Sequence, residues 1–393
     1  MDHLVCPVEI PRGRILADTD FRTSYIASRA RMSSNADSFS LGYRRGLDGL
    51  RGLAILLVLT DHGGLLGDGF GFIGVNTFFV LSGFLITCLL VLEYQASHTI
   101  KLSYFYLRRA LRLLPALLAM LAAFLIYAGL TMSGRKLDES LHEAFWALFY
   151  STNLAKLFQW GPTLQLAHTW SLSLEEQFYF CWPWLLLFLL RRNSRSSLFC
   201  WAALGAFVSA TLRVLIFAGD SRATYDNLDR LTVSLDTRAD SLMLGALVAI
   251  AVTSKLMPVT VWFRGLITGV SLVSVPGILF LGIFRPLAPM MVYAGWLLAS
   301  MLVAVLILHL VVNPTGLIHR WFANPLLVYI GRISYSLYVW HFPLLKVLDR
   351  YAIAPLAHNW LYWTGTIAAA LVSYYFIEQP CLRLKRRFQT AKL

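Results

Sequence analysis

Residues 43–62, YRRGLDGLRGLAILLVLTDH, set Asp48, Arg51 and His62 on an otherwise apolar stretch. On a helix that advances about 100° and ~1.5 Å per residue, Arg51 and His62 return to within about 20° of each other, ~16 Å apart along the axis. Asp48, one turn before Arg51, falls on the same side. One helix face would thus carry an acid and a guanidinium at one end and an imidazole at the other. An imidazole, with an unperturbed pKa of about 6.5, can take a proton from a hydroxyl and return it, which makes His62 a candidate general base. Asp61 precedes it by one position and points about 100° away, so it is a poor orienting partner. The plainer alternative makes Asp48 and Arg51 interface anchors and His62 the outer end of a span. Against that stands the cost of ionisable groups inside a membrane, where they commonly mark a pathway or a site.

Four further stretches offer chemistry. YLRRALRLLP (106–115) gathers Arg108, Arg109 and Arg112 within about one helical turn, followed by Pro115. They read either as a cytoplasmic charge signal or as guanidinium forks for phosphate. In HTWSLSLEEQFYFCWP (168–183), Ser173 and Glu176 have the spacing of a helix capping box, which leaves Glu175 without that role. His168, Trp170 and Trp160 on the same outer side could receive a sugar, although tryptophan is also common at membrane interfaces. ISYSLYVWHFPLL (333–345) places Tyr335, Tyr338 and His341 in the outer half of a span, facing a substrate or packed in a core. The candidate substrate contacts are therefore Glu175, Glu176, Trp170, His341 and Tyr338. In GFIGVNTFFVLSGFLIT (71–87), Gly74 and the Ser82-Gly83 pair read as sites of close helix contact. Ser82 lacks the G-x-S-x-G elbow of a serine nucleophile. IEQPCLRLKRR (377–387), with Glu378, ends the last span and is assigned no chemistry.

The elements that must position these residues are transmembrane helices. The chain has 393 residues, 58% hydrophobic and 14% charged, with a mean hydropathy of +0.62. A charged share well below the ~25% of soluble domains excludes a soluble globular protein. Ten apolar runs of spanning length lie near 49–66, 71–94, 110–130, 174–191, 198–218, 240–254, 259–283, 288–312, 325–347 and 358–379. A cytoplasmic N-terminus puts the Arg44–Arg45, Arg108–Arg109, Arg191–Arg192 and Arg386–Arg387 pairs inside, as the positive-inside rule requires. The expected fold is an all-α polytopic bundle of about ten transmembrane helices with both termini cytoplasmic. The apolar segment near 141–158 is read as a re-entrant or interfacial helix in an outer loop. The expected domains are a flexible basic tail (1–42), a transmembrane domain (43–385) and a short basic tail (386–393). No signal peptide precedes the first span. The net charge of +13 is explained by topology rather than nucleic acid. The five cysteines are scattered, without metal-ligand spacing, so neither a disulfide framework nor a metal site is expected. A transporter or flippase for a lipid-linked sugar would use the same polar face as a pathway.

In order along the chain, RGLDGLRGLA with His62, GVNTFFVLSGFLIT, RRALRLLP, TWSLSLEEQFYFCWP, DTRADSLMLGALVA, SYSLYVWHFPL and IEQP resemble the acyltransferase-3 family of membrane O-acyltransferases. The resemblance covers roughly residues 43 to 385. It implies a bundle of about ten helices in the bacterial inner membrane that uses cytoplasmic acyl-CoA, often acetyl-CoA, to acylate a hydroxyl. The implied acceptors are saccharides such as lipopolysaccharide O-antigen, exopolysaccharide or a glycolipid, or a natural product such as a macrolide. By the same resemblance His62 is the first-helix histidine, Arg51 the arginine of that motif and Arg108, Arg109 and Arg112 the donor-handling cluster. Glu175 and Glu176 are its paired carboxylates. Asn76 stands where many members have an acidic residue, and the chain ends shortly after its last span, without the esterase-like domain that some members carry. The partners implied are membrane lipid and the acceptor, with a homo-oligomer left open.

Overall fold

The computed structural model describes residue 39 and residues 41–385, except 67–68, 193, 220–228, 258–259 and 284–287. Apart from residues 39, 41 and 42, the two expected tails lie outside these residues. Among the described residues the protein is all-helical. The first half comprises α1 (Arg45–His62), α2 (Phe70–Ser97), α3 (Leu102–Thr131), α4 (Arg135–Leu148), α5 (Thr152–Leu157), α6 (Thr169–Arg192) and α7 (Arg195–Gly219). The second comprises α8 (Leu235–Thr253), α9 (Val261–Ile283), α10 (Met291–Val312), α11 (Leu317–Phe322), α12 (Pro325–Arg332), α13 (Ser334–Leu348), α14 (Pro355–Val372) and α15 (Gln379–Lys385). Helices α2, α3, α7, α9 and α10 are the five, among the described residues, that are long and apolar enough to cross a membrane. The chain is an all-α membrane protein. Helices α1, α6 and α8 are of comparable length but carry the ionisable residues of the motifs, such as Arg51, Glu175 and Arg238, and these lower their apolarity.

Helix crossings are set by glycine. A Cβ on Gly83 of α2 would sit 1.9 Å from the Leu242 carbonyl oxygen of α8, and one on Gly245 would sit 2.0 Å from that of Val80. The same device joins α1 to α12, where a Cβ on Gly52 would meet the Leu327 carbonyl at 2.1 Å. Backbones this close leave no room for a side chain. Gly83→Leu is therefore expected to lower stability by about 3 kcal/mol, read as a fall in the thermal unfolding midpoint of the detergent-solubilised protein.

Two sequence expectations need correction. The run at 325–347 is not one helix: it breaks at Ile333 into α12 and α13. A break at membrane depth is stable only where its freed groups meet protein or a cavity. Ser334, just after it, meets Arg51. The expected capping box at Ser173 also does not form. Helix α6 begins at Thr169, so Ser173 lies one turn inside, and its hydroxyl donates to the Thr169 carbonyl at 3.0 Å.

The segment 141–158 forms parts of α4 and α5, which are separated by a turn with Tyr150 at a φ of 50°. Neither is long enough to span. Helix α4 buries Ser140, Glu143, Ala144 and Ala147 and leaves Leu141, Phe145 and Leu148 exposed. The Glu143 carboxylate accepts from the backbone N–H groups of Gln165 and Leu166, each at 2.7 Å, which fixes the segment leading to His168. Burial pushes the Glu143 carboxyl pKa up, and the two N–H donors oppose that shift.

Candidate active site

A cavity of about 520 Å³ opens between α1, α2, α3, α6 and α13. Four guanidiniums line it, from Arg51, Arg108, Arg109 and Arg112, together with three carboxylates, from Glu93, Glu175 and Glu176. The lining thus holds one more basic than acidic side chain. The charges are not equivalent. Arg109 donates to Glu176 at 2.7 Å and lies 3.5 Å from the centre of the Tyr179 ring. Arg108 donates to Glu93 at 3.2 Å. Arg51 donates to the Ser334 hydroxyl at 3.2 Å and lies 5.7 Å from the centre of the Phe78 ring, and neither Arg51 nor Arg112 forms an ion pair among the described residues. Arg112 instead feels the like charges of Arg51 and Arg109, partly offset by Glu378. The Glu175 carboxylate accepts from the Tyr179 hydroxyl at 3.3 Å.

Ser171, Tyr335 and Tyr338 form one layer of the cavity lining, between α6 and α13. The Tyr338 hydroxyl contacts that of Ser171 at 2.6 Å and donates to the His168 carbonyl at 2.7 Å. Behind this layer lie three histidines from three elements. His62 at the end of α1 contacts His341 of α13, Nδ1 to Nε2, at 3.1 Å. The His168 ring stands edge-to-face with that of His341, the centroids 5.4 Å apart. His168 and His341 are fully enclosed, whereas His62 is half-buried. Phe342 packs its ring against both His62 and His168.

The expected site residues thus separate into groups. Arg51, Arg108, Arg109, Arg112, Glu175, Glu176 and Tyr338 share the cavity, whereas His62 and His341 contact each other outside its lining. Asp48, half-buried on α1, does not line the cavity. Trp170 packs its ring edge-on against Phe79 within the apolar core. Trp160 is the exposed tryptophan of that region and stacks on Phe158.

Three residues escaped the sequence reading in whole or part. Glu378 was assigned no chemistry, yet it is buried, accepts from the Ser336 hydroxyl and acts electrostatically on Arg112 and Arg51. A π-helical turn over Ser373–Glu378 puts it there, and such turns commonly re-aim a side chain at a functional site. The signal was available as a carboxylate closing an apolar span. His168 was placed near a sugar surface rather than beside His341. Asn76 is buried and accepts from Arg238 of α8, so this position belongs to a polar crossing of α2 and α8.

Comparison with known proteins identifies the family. The acyltransferase domain model of the acyltransferase-3 family matches residues 44–378. A Staphylococcus aureus (strain MSSA476) protein provisionally named an O-acetyltransferase is 33% identical over 355 residues, covering 86% of this chain and 57% of its own length. O-acetyltransferase OatA of Staphylococcus aureus (strain NCTC 8325 / PS 47) is 29% identical over 356 residues, covering 87% of this chain and 58% of its own. The chain therefore spans somewhat more than half the length of these relatives. No solved structure matches. With its motifs in family order on an all-helical membrane fold, and the family model covering most of its length, the chain belongs to the acyltransferase-3 family.

Proposed function

We propose that the protein is a membrane O-acyltransferase that moves an acyl group, acetyl by analogy with its named relatives, from acyl-CoA to a hydroxyl of a saccharide. The observation that carries this reading is one run of contacts: an arginine-lined cavity, Tyr338 in its lining, the enclosed His168 and His341 against that tyrosine, and half-buried His62 against His341. The cavity volume is in the range of small-ligand sites. Its size suits a pantetheine arm and acyl group, with the donor phosphates at the arginine end. In this reading the chain crosses an inner membrane ten times with both termini cytoplasmic, the exposed apolar face of α4 lies at the outer interface, and the arginine end faces the cytoplasm.

The acceptor approaches His62 from outside. As its oxygen bonds to the thioester carbon, His62 takes the hydroxyl proton. The C–S bond breaks, and the proton passes to the departing thiolate. Arg51 and Arg112 hold the donor, while Asp48, outside the cavity, acts only through the local field. Tyr338 and Ser171 must yield for the acyl group to reach the histidines, so their contact is the step that admits it.

The test is direct. Purified protein is mixed with radiolabelled acetyl-CoA and a cell-envelope glycan fraction. Label is expected in the glycan as a base-labile ester. An unlabelled glycan, together with CoA-independent movement of lipid-linked sugar in proteoliposomes, would overturn the reading in favour of a transporter.

A further inference from the structure

His62 as a general base requires an unprotonated nitrogen aimed at the acceptor, and nothing in helix α1 provides for that. A neutral imidazole carries its proton on either nitrogen, and a second contact decides which. The neighbouring carboxylate, Asp61, is directed elsewhere: its Oδ2 is 2.6 Å from where a Cβ on Gly71 of α2 would lie. His62 instead meets α13.

With His341 neutral in its enclosed site, its contacts have one consistent assignment of protons. Its Nδ1 lies 2.6 Å from the Tyr338 carbonyl oxygen. A carbonyl can only accept, so Nδ1 of His341 carries the hydrogen. The Nε2 of a neutral His341 then holds a lone pair. That atom is 3.1 Å from Nδ1 of His62. Two lone pairs cannot face each other at this distance, so Nδ1 of His62 is the donor. Its Nε2 is therefore the bare nitrogen.

We infer that His341 is a positioning residue that fixes His62 in the Nδ1–H tautomer, leaving Nε2 free to receive the acceptor's proton. This rests on the role proposed for His62. The direction comes from the backbone of Tyr338, whose side chain lines the cavity. One residue thus joins the donor cavity to the base. The charge balance also follows. When the acceptor oxygen bonds to the acyl carbon, its proton moves to Nε2 of His62, and the imidazolium formed keeps its Nδ1–H bond to neutral His341. That bond becomes charge-assisted and strengthens as charge develops. The C–S bond breaks, and the proton leaves Nε2 for the thiolate sulfur. His341 ends as it began. It also explains why a histidine, rather than a carboxylate, backs the base: an enclosed neutral partner brings no unpaired charge into the membrane.

The proposal separates from a packing role by comparing two substitutions. His341→Gln places an amide oxygen near the position of Nε2 and keeps an acceptor for His62. His341→Leu fills the volume without one. With radiolabelled acetyl-CoA and the envelope glycan fraction, His341→Leu is expected to lose about 10²-fold in kcat, with both KM values within about threefold. His341→Gln is expected to recover to within about tenfold of the wild type. Equal losses in both variants, or losses that follow the thermal unfolding midpoint, would reduce His341 to packing and overturn the inference. Near wild-type kcat in His341→Leu, with His62→Ala inactive, would overturn it while leaving the role of His62 intact. An active His62→Ala would remove the reading on which it rests.

Discussion

His62→Ala is expected to lower kcat for acyl transfer about 10³-fold, with the KM for acetyl-CoA within about threefold of wild type. The split follows from distance. His62 ends α1 outside the cavity lining, whereas the guanidiniums that would hold the donor line the cavity from Arg51, earlier on α1, and from α3. Removing the imidazole therefore leaves the donor's charged contacts intact and takes away a group used only as the hydroxyl attacks. The substitution also leaves Nε2 of enclosed His341 without its partner, at a cost of about 1–3 kcal/mol. A small fall in the thermal unfolding midpoint is thus expected beside the kinetic loss. His62→Asn separates the two effects. Its amide N–H lies near the position of Nδ1, so it can still donate to His341 and restore the midpoint, but it is no base, so kcat stays low. A His62→Ala enzyme with wild-type kcat would remove His62 from the chemistry. A loss confined to KM would make it a binding group.

How much of this was legible in the sequence depends on the kind of information involved. Helical periodicity gives the face on which a residue lies, so the alignment of Arg51 with His62 and the clustering of Arg108, Arg109 and Arg112 follow from residue spacing alone. Periodicity does not name the neighbour across the interface. His62 meets His341, 279 positions later in the chain, and Arg109 meets Glu176, 67 positions later. The first choice depends on the crossing of α1 and α12 that Gly52 sets, which a sequence shows only as a small residue. Local irregularities were hidden for another reason. The break at Ile333 and the π-helical turn before Glu378 occur within apolar runs that read as continuous helix. Tertiary packing overrides propensity there, and both departures deliver a polar group, Ser334 or Glu378, toward Arg51. The capping box failed because Ser173 and Glu176 fit a local pattern, while Arg109 on α3 offered Glu176 a stronger partner.

That pairing also sets the second large effect, a division of labour within the arginine cluster. Arg112→Met is expected to raise the KM for acetyl-CoA by about 10–100-fold and to leave the unfolding midpoint unchanged or slightly higher. Arg112 forms no ion pair among the described residues and sits near Arg51 and Arg109, so its removal relieves like-charge repulsion in the empty cavity. The same charge, without an ion pair among the described residues, is what an anionic donor would meet, and a charge-assisted phosphate contact is worth about 1.5–3 kcal/mol. Arg109→Met should behave differently. Its guanidinium is committed to Glu176 at 2.7 Å and to the Tyr179 ring, with only 17% and 21% of the two paired side chains exposed. Removing it leaves a largely buried carboxylate without its partner, at a cost on the order of 3 kcal/mol, so the midpoint falls. The double substitution Arg109→Met with Glu176→Met removes both charges and should regain most of that loss. Donor KM and thermal midpoint, measured across Arg112→Met, Arg109→Met and the double variant, decide the matter. If Arg109→Met raised KM without lowering the midpoint, its bond to Glu176 would be one that the donor displaces. Arg109 would then join Arg112 as a donor contact, and Glu176 would hold it in place until the donor arrives.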